Sequence, residues 1–311
     1  MKSKRMRGLI GWGVLIWLIP SIGAAAEVNV DCGDGGVGLQ VAVNAASAGD
    51  TIMVTGRCVE NIYIGETKEQ LTLNGGGTAI IEAFNSNDIV VRAMGRSIKI
   101  QGFTIRGGLD GIHTPGYPPP GGGAKVHIEN NTVENNSRIG INIGQNSYAV
   151  ITNNTVQNNL WYGIVVSELS SARIGVEGLS DATTKPNTIQ GNGIDGIRVT
   201  RNAYAVIVGN TISGNTGDGI FVSKVSHADI ANNTIDNNGN CGIQVTQNSG
   251  VVLGNDTGGT IFDLPNVTAV KNVKWGIKAT VGASVDGRRG SLKGVLGAVS
   301  VGSGGINHTI P

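Results

Sequence analysis

Aromatic residues supply only 4% of this 311-residue sequence and charged residues only 14%, with three cysteines and four histidines. Each shortage removes a class of protein. β-Propeller blades need about 40 residues apiece and carry aromatic signatures, which are absent. Leucine-rich repeats have suitable periods, but their leucine framework is missing. The 50 glycines follow no collagen period. Cysteines and histidines show no metal-ligand spacing, so no metal or other cofactor is expected. What is present is 40% hydrophobic residues, enough for a core, set among glycine and asparagine. Such a chain reads as many turns and β-branched strands.

Residues 1–26 stand apart. Lys2, Lys4, Arg5 and Arg7 precede the apolar run "GLIGWGVLIWLIPSIG", which ends at Ala24-Ala25-Ala26. This is the pattern of a secretory signal peptide cleaved after Ala26. The alternative is a membrane anchor, but the run is shorter than the ~20 apolar residues of a span and contains Pro20. No later stretch is long and apolar enough to span, so a secreted or periplasmic protein is expected, without stable membrane insertion after cleavage. Without the basic head, 19 Lys+Arg face 22 Asp+Glu, a net charge of −3, which argues against nucleic acid as partner. Export permits disulfides. Cys32 and Cys58, both N-terminal, are the expected pair, and Cys241 a lone thiol.

The rest of the chain repeats. "GFTIRGG" (102–108), "NNTVENN" (130–136), "NNTVQNN" (153–159), "PNTIQGN" (186–192), "GNTISGN" (209–215) and "NNTIDNN" (232–238) place threonines at spacings of 28, 23, 33, 23 and 23. Gly-Ile pairs keep the same beat from Gly111-Ile112 to Gly276-Ile277, as does the apolar set Ile100, Ile128, Ile151, Ile174, Ile207, Ile230 and Leu253. Three short strands per 23 residues cannot bury a core alone, but stacked units can. The sequence therefore predicts an all-β, single-stranded parallel β-helix, right-handed because parallel crossovers overwhelmingly are.

Asparagine has two expected roles. Gly102, Asn130, Asn153, Gly209, Asn232 and Asn255 share one position, and Gly107, Asn135, Asn158, Gly191, Gly214 and Asn237 another. Residues that exchange with glycine mark corners with φ > 0. Asn131, Asn154, Asn187, Asn210 and Asn233 form a further row, whose amides can bond as a ladder at about 4.8 Å per coil. Leu39, Ala42, Val43 and Ala46 have helical spacing and predict a helix that plugs the N-terminal end. The expected layout is a cap and first coil over 27–70, regular coils over 97–255 and irregular coils over 270–311.

Residues 39–64, "LQVAVNAASAGDTIMVTGRCVENIYI", and the NTI…N…GI…V units resemble the right-handed parallel β-helix superfamily that contains pectate lyases, pectin esterases and polygalacturonases. The resemblance covers nearly the whole mature chain and speaks to fold more than function. The calcium-binding Asp cluster of pectate lyases is not found, nor are the Asn-Thr-Asp, Asp-Asp and Gly-His-Gly set of polygalacturonases or the catalytic Asp pair of the esterases. "LDGIHT" (109–114) carries the Asp and His of the C5-epimerase signature without its proline.

Alternate residues should form outward stripes along which a polymer can lie. One stripe contains Asp195 and Asp218 on neighbouring coils, their carboxylates expected roughly 5 Å apart. Such a pair can share a proton, one pKa rising, and suits a retaining glycosidase. Arg198 is placed to hold a sugar carboxylate, with Phe221 beside it. His113 lies in the same region. Insertions at 175–186 and 254–265 should leave one edge three coils apart and wall a cleft floored by Thr188, Thr211, Thr234, Gln190, Ser213 and Asp236. A polysaccharide or cell-surface glycan is the expected partner, largely from the resemblance. The primary reading is binding without turnover. The alternatives are a lyase, hydrolase or epimerase built on Asp195, Asp218 and Arg198, and a helper in periplasmic metal-enzyme assembly.

Overall fold

The computed structural model describes residues 25–115, 122–254 and 260–310. The expected signal peptide lies outside them up to residue 24. Among the described residues one helix, Leu39–Ala45, follows a first strand, Glu27–Gly36, and leads into a succession of strands that pair only in parallel. Each regular coil contributes a first strand such as Tyr204–Val208, a second such as Thr211–Ser213 and a third such as Ile220–Ser223. The third strands stack into a ten-stranded sheet, and the first and second strands share a 17-stranded one. This is the right-handed parallel β-helix the repeat predicts. Among the described residues, no helix is long and apolar enough to cross a membrane.

The strands form because alternate β-branched residues enter one continuous column. Ile151, Ile174, Ile207, Ile230 and Leu253 are fully buried, as are Val156, Ile189, Ile212 and Ile235 on the second strands and Ile164, Ile197, Ile220 and Ile243 on the third. The register sets like on like, Ile207 opposite Ile230 and Ile212 opposite Ile235. Both predicted rows of corners have positive φ, from 55° at Asn130 to 77° at Gly209 and from 48° at Asn237 to 82° at Gly107. Asn255 falls outside the described residues.

The asparagine row forms the ladder. Nδ2 of Asn131, Asn154, Asn187 and Asn210 each donates to Oδ1 of the next asparagine, at 3.1, 3.0, 2.8 and 3.1 Å, and Asn233 continues it to Asn266 at 2.9 Å. Each Oδ1 also accepts the backbone N–H of the preceding rung, as Asn187 does from Asn154. A second ladder, not anticipated, runs from Asn136 through Asn159, Asn192, Asn215 and Asn238 to Asn272. Its rungs are the final asparagines of the five units from NNTVENN to NNTIDNN, continued by Asn272.

The N-terminal end is closed as expected. Leu39 and Val43 are fully buried on the column. The Glu60 carboxylate accepts the N–H groups of Gly38, Leu39 and Gln40 at 2.7, 2.9 and 3.1 Å, satisfying donors that a helix start leaves orphaned. Cys32 and Cys58 form the expected disulfide, and Cys241 is free and buried.

Candidate functional site: a cationic groove on the ten-stranded sheet

A groove of about 490 Å³ lies on the outer face of the ten-stranded sheet. Its lining includes Arg138, Arg198, Arg201 and Lys224, with Glu168, which pairs with Arg201 at 3.2 Å, and with Trp161, Tyr162 and His113. The strands position these groups by register: His113 stands opposite Asn142, Asn142 opposite Val165, Val165 opposite Arg198 and Arg198 opposite Phe221.

Two of the cations are fixed from below. Asp110 is fully buried and takes Arg138 in a two-pronged pair, Nε to Oδ1 at 2.7 Å and Nη2 to Oδ2 at 2.6 Å. Asn142 Nδ2 donates to the same Oδ2 at 3.1 Å. Asp195 takes Arg198 through Nε at 3.0 Å and Nη2 at 2.8 Å. The Arg198 guanidinium is also clasped between the Tyr162 and Phe221 rings, 4.5 and 4.4 Å from their centroids. Both guanidinium groups therefore have a set plane, and their side chains remain about a quarter exposed, 29% and 26%.

This geometry corrects the expectation of an outward carboxylate pair. Asp195 and Asp218 are 2% and 3% exposed and do not present a bare pair to a polymer. Asp195 Oδ1 accepts the Asp218 N–H at 2.9 Å, and Asp218 Oδ1 accepts the Cys241 N–H at 2.8 Å. The residue before Gly-Ile points outward but sits at a corner whose backbone donors need acceptors, and a short carboxylate reaches them. One pKa is nonetheless raised: burial, with the Asp195 charge adding to it, pushes Asp218 up to about 6.

His113 is the residue that spacing alone left weakest. Its side chain is 19% exposed, and Nδ1 is buried without a hydrogen-bond partner among the described residues, 3.6 Å from Asp110 Oδ2. Burial lowers its pKa to about 4; the Asp110 charge opposes that, and Arg92 and Arg138 reinforce it. The imidazole is therefore neutral at pH 7, beside fixed cations. Trp161, 45% exposed, walls the groove.

The other expected residues lie elsewhere. Thr188, Thr211, Thr234, Ser213 and Asp236 are on the second strands. Ser213 and Gln190 line a shallow groove with Gln157, and Asp236 Oδ1 accepts the N–H groups of Ala269 and Val270. Among the described residues they do not floor a cleft between the insertions. Val176 of one insertion and Ile261 and Phe262 of the other pack instead with Val206, Val208 and Ala231, which point outward from or just past the first strands. The cleft there, about 380 Å³, is lined by Leu179, Val206, Asp229, Val252 and Phe262. The apolar residues of the insertions seek apolar surface, which the threonine row does not offer.

The description "right handed beta helix region" fits residues 83–177 and 165–262, more than half of the chain. The chain belongs to this family. The β-helix protein has no match among curated proteins. Among solved structures, it is similar to pectate lyase Pel9A, with 13% identity over 90% of this chain and 78% of that one, at a TM-score of 0.56. It is also similar to a single-residue mutant of the periplasmic alginate epimerase AlgG, with 15% identity over 91% and 82%, at a TM-score of 0.53. At such identities the likeness concerns the fold.

Proposed function

We propose that this β-helix protein acts on an acidic, uronate-containing polysaccharide lying along the groove of the ten-stranded sheet, removing the proton α to a sugar carboxylate. The observation that carries this reading is the juxtaposition of two immobilised guanidinium groups with a neutral, desolvated imidazole. A uronate C5 proton is weakly acidic until its carboxylate charge is neutralised. Arg138 and Arg198 each commit the Nε/Nη2 edge to a buried aspartate, leaving Nη1 donors for the ligand carboxylate. His113, already neutral, takes the C5 proton as general base. The carbanion then either expels the C4 glycosidic oxygen, which takes the proton from the His113 imidazolium as the C4–O bond breaks and a C4–C5 double bond forms, or takes a proton from water on the opposite face to give the epimer, His113 returning its proton to solvent. Trp161 supplies an aromatic face for an adjacent sugar ring. Asp110 and Asp195 are positioning residues. That the structural relatives are a pectate lyase and an alginate epimerase supports the substrate class, both polymers being polyuronates.

Binding without turnover is the second reading, favoured by the missing enzyme signatures. The test is incubation with polygalacturonate and with alginate, following unsaturated ends by ultraviolet absorbance and C5 configuration by proton NMR. Turnover that falls roughly a hundredfold or more in His113→Gln supports the proposal. Binding with no product of either kind leaves the protein a lectin-like binder and overturns the chemistry.

A further inference from the structure

On the other sheet, three side chains from two distant segments converge on a single point. His127 and Glu129 project from the same face of strand Lys125–Glu129, and Glu177 arrives from the 175–186 insertion. Glu129 Oε2 lies 3.1 Å and Glu177 Oε1 3.7 Å from His127 Nε2, with Thr152 Oγ1 at 3.2 Å. The three ligand atoms all lie within 4.8 Å of one another. One ring nitrogen carries at most one proton and satisfies at most one of these oxygens. A single cation satisfies them together.

We propose that His127, Glu129 and Glu177 bind a divalent transition cation of the Zn²⁺ class, clamping the 175–186 insertion to the β-helix. One imidazole and two carboxylates, with water in the fourth position, are a ligand set that suits Zn²⁺. Ca²⁺ prefers oxygen alone. The ligands are supported from behind. The Glu177 carbonyl accepts Arg173 Nη1 at 2.7 Å, and its N–H donates to Asp181 Oδ2 at 2.7 Å. Lys185 and Lys99 contact Glu177 Oε1 at 2.7 Å and Glu129 Oε2 at 3.2 Å, the same oxygens that face the imidazole. They are partly exposed ammonium groups on flexible stems, and they compete with the metal for those oxygens. This gives the site a signature that adventitious surface binding lacks.

The test is isothermal titration of the untagged, chelator-treated full-length protein with ZnCl₂ alone. One Zn²⁺ per chain is expected, at least tenfold weaker in His127→Ala and in Glu177→Gln and tighter in Lys185→Ala. Zn²⁺ should also slow proteolysis within the 175–186 insertion in the wild type and not in Glu177→Gln. Absence of stoichiometric binding, equal affinity in His127→Ala, or Ca²⁺ binding as tightly as Zn²⁺ would overturn the proposal. None of these readouts depends on polysaccharide turnover.

Discussion

At the scale of single residues, the groove separates the groups proposed to touch a ligand from the groups that hold them. His113 is neutral because it is buried, and Asp110 and Asp195 are charged partners of arginines rather than free carboxylates. With its pKa near 4, His113 stays an available base throughout the neutral range. Turnover should therefore hold from pH 7 down to about pH 5 and fall only as pH drops through about 4, where an unperturbed histidine would already fail near 6.5. A pH–rate profile on the polyuronate substrate measures this. Asp218 gives a prediction of opposite sign about stability. Its pKa in the fold, about 6, lies above its ordinary 3.8, so its contribution is full below about 3.8 and lost as pH rises through about 6. Asp218→Asn keeps an acceptor for the Cys241 N–H but cannot ionise. Its melting temperature should gain on the wild type between about pH 4 and pH 6.5, and a constant difference would contradict the assignment. The residue types of the site were legible in the sequence: Asp195, Asp218, Arg198 and His113 all stood out. Their burial was not, because a repeat shows which way a residue points and not what covers it. Arg138 is not marked by the repeat, because it stands one residue before the row to which it contributes.

At the scale of elements, the sequence was most informative where chemistry repeats. Corners were readable because only glycine and asparagine enter the left-handed region cheaply, and the exchange of the two from coil to coil exposes it. The first asparagine ladder follows from the same alignment, and the second stands one residue past the corner, at the end of each unit. These ladders replace water at buried turns. Asn187→Ala removes the Oδ1 that accepts both the N–H and the Nδ2 of Asn154. Stranding these buried donors should cost roughly 2–4 kcal/mol, measured by denaturant unfolding at constant m-value. Described residues of both insertions meet over one surface, which is not the threonine row. That surface is set by Val206, Val208 and Ala231, outward apolar residues in otherwise regular coils. The His127–Glu129–Glu177 cluster was equally hidden, since its third member is 48 residues beyond the second in sequence.

At the scale of the whole molecule, the β-helix is a rigid ruler that puts successive outward residues about 4.8 Å apart along the axis. Residues 27–311 carry 19 Lys+Arg against 22 Asp+Glu, so the cationic groove is a local feature rather than a consequence of net charge. Affinity for a polyanion should accordingly depend on a few fixed guanidinium groups. Binding of polygalacturonate by the full-length protein, compared with the same polymer after reduction of its carboxyl groups, tests this most directly. The account predicts that wild-type protein binds the acidic polymer, that the reduced polymer binds at least tenfold more weakly, and that Arg138→Ala/Arg198→Ala abolishes the difference while the fold is retained. Equal binding of both polymers, or an undiminished preference for the acidic one in the double variant, would contradict it.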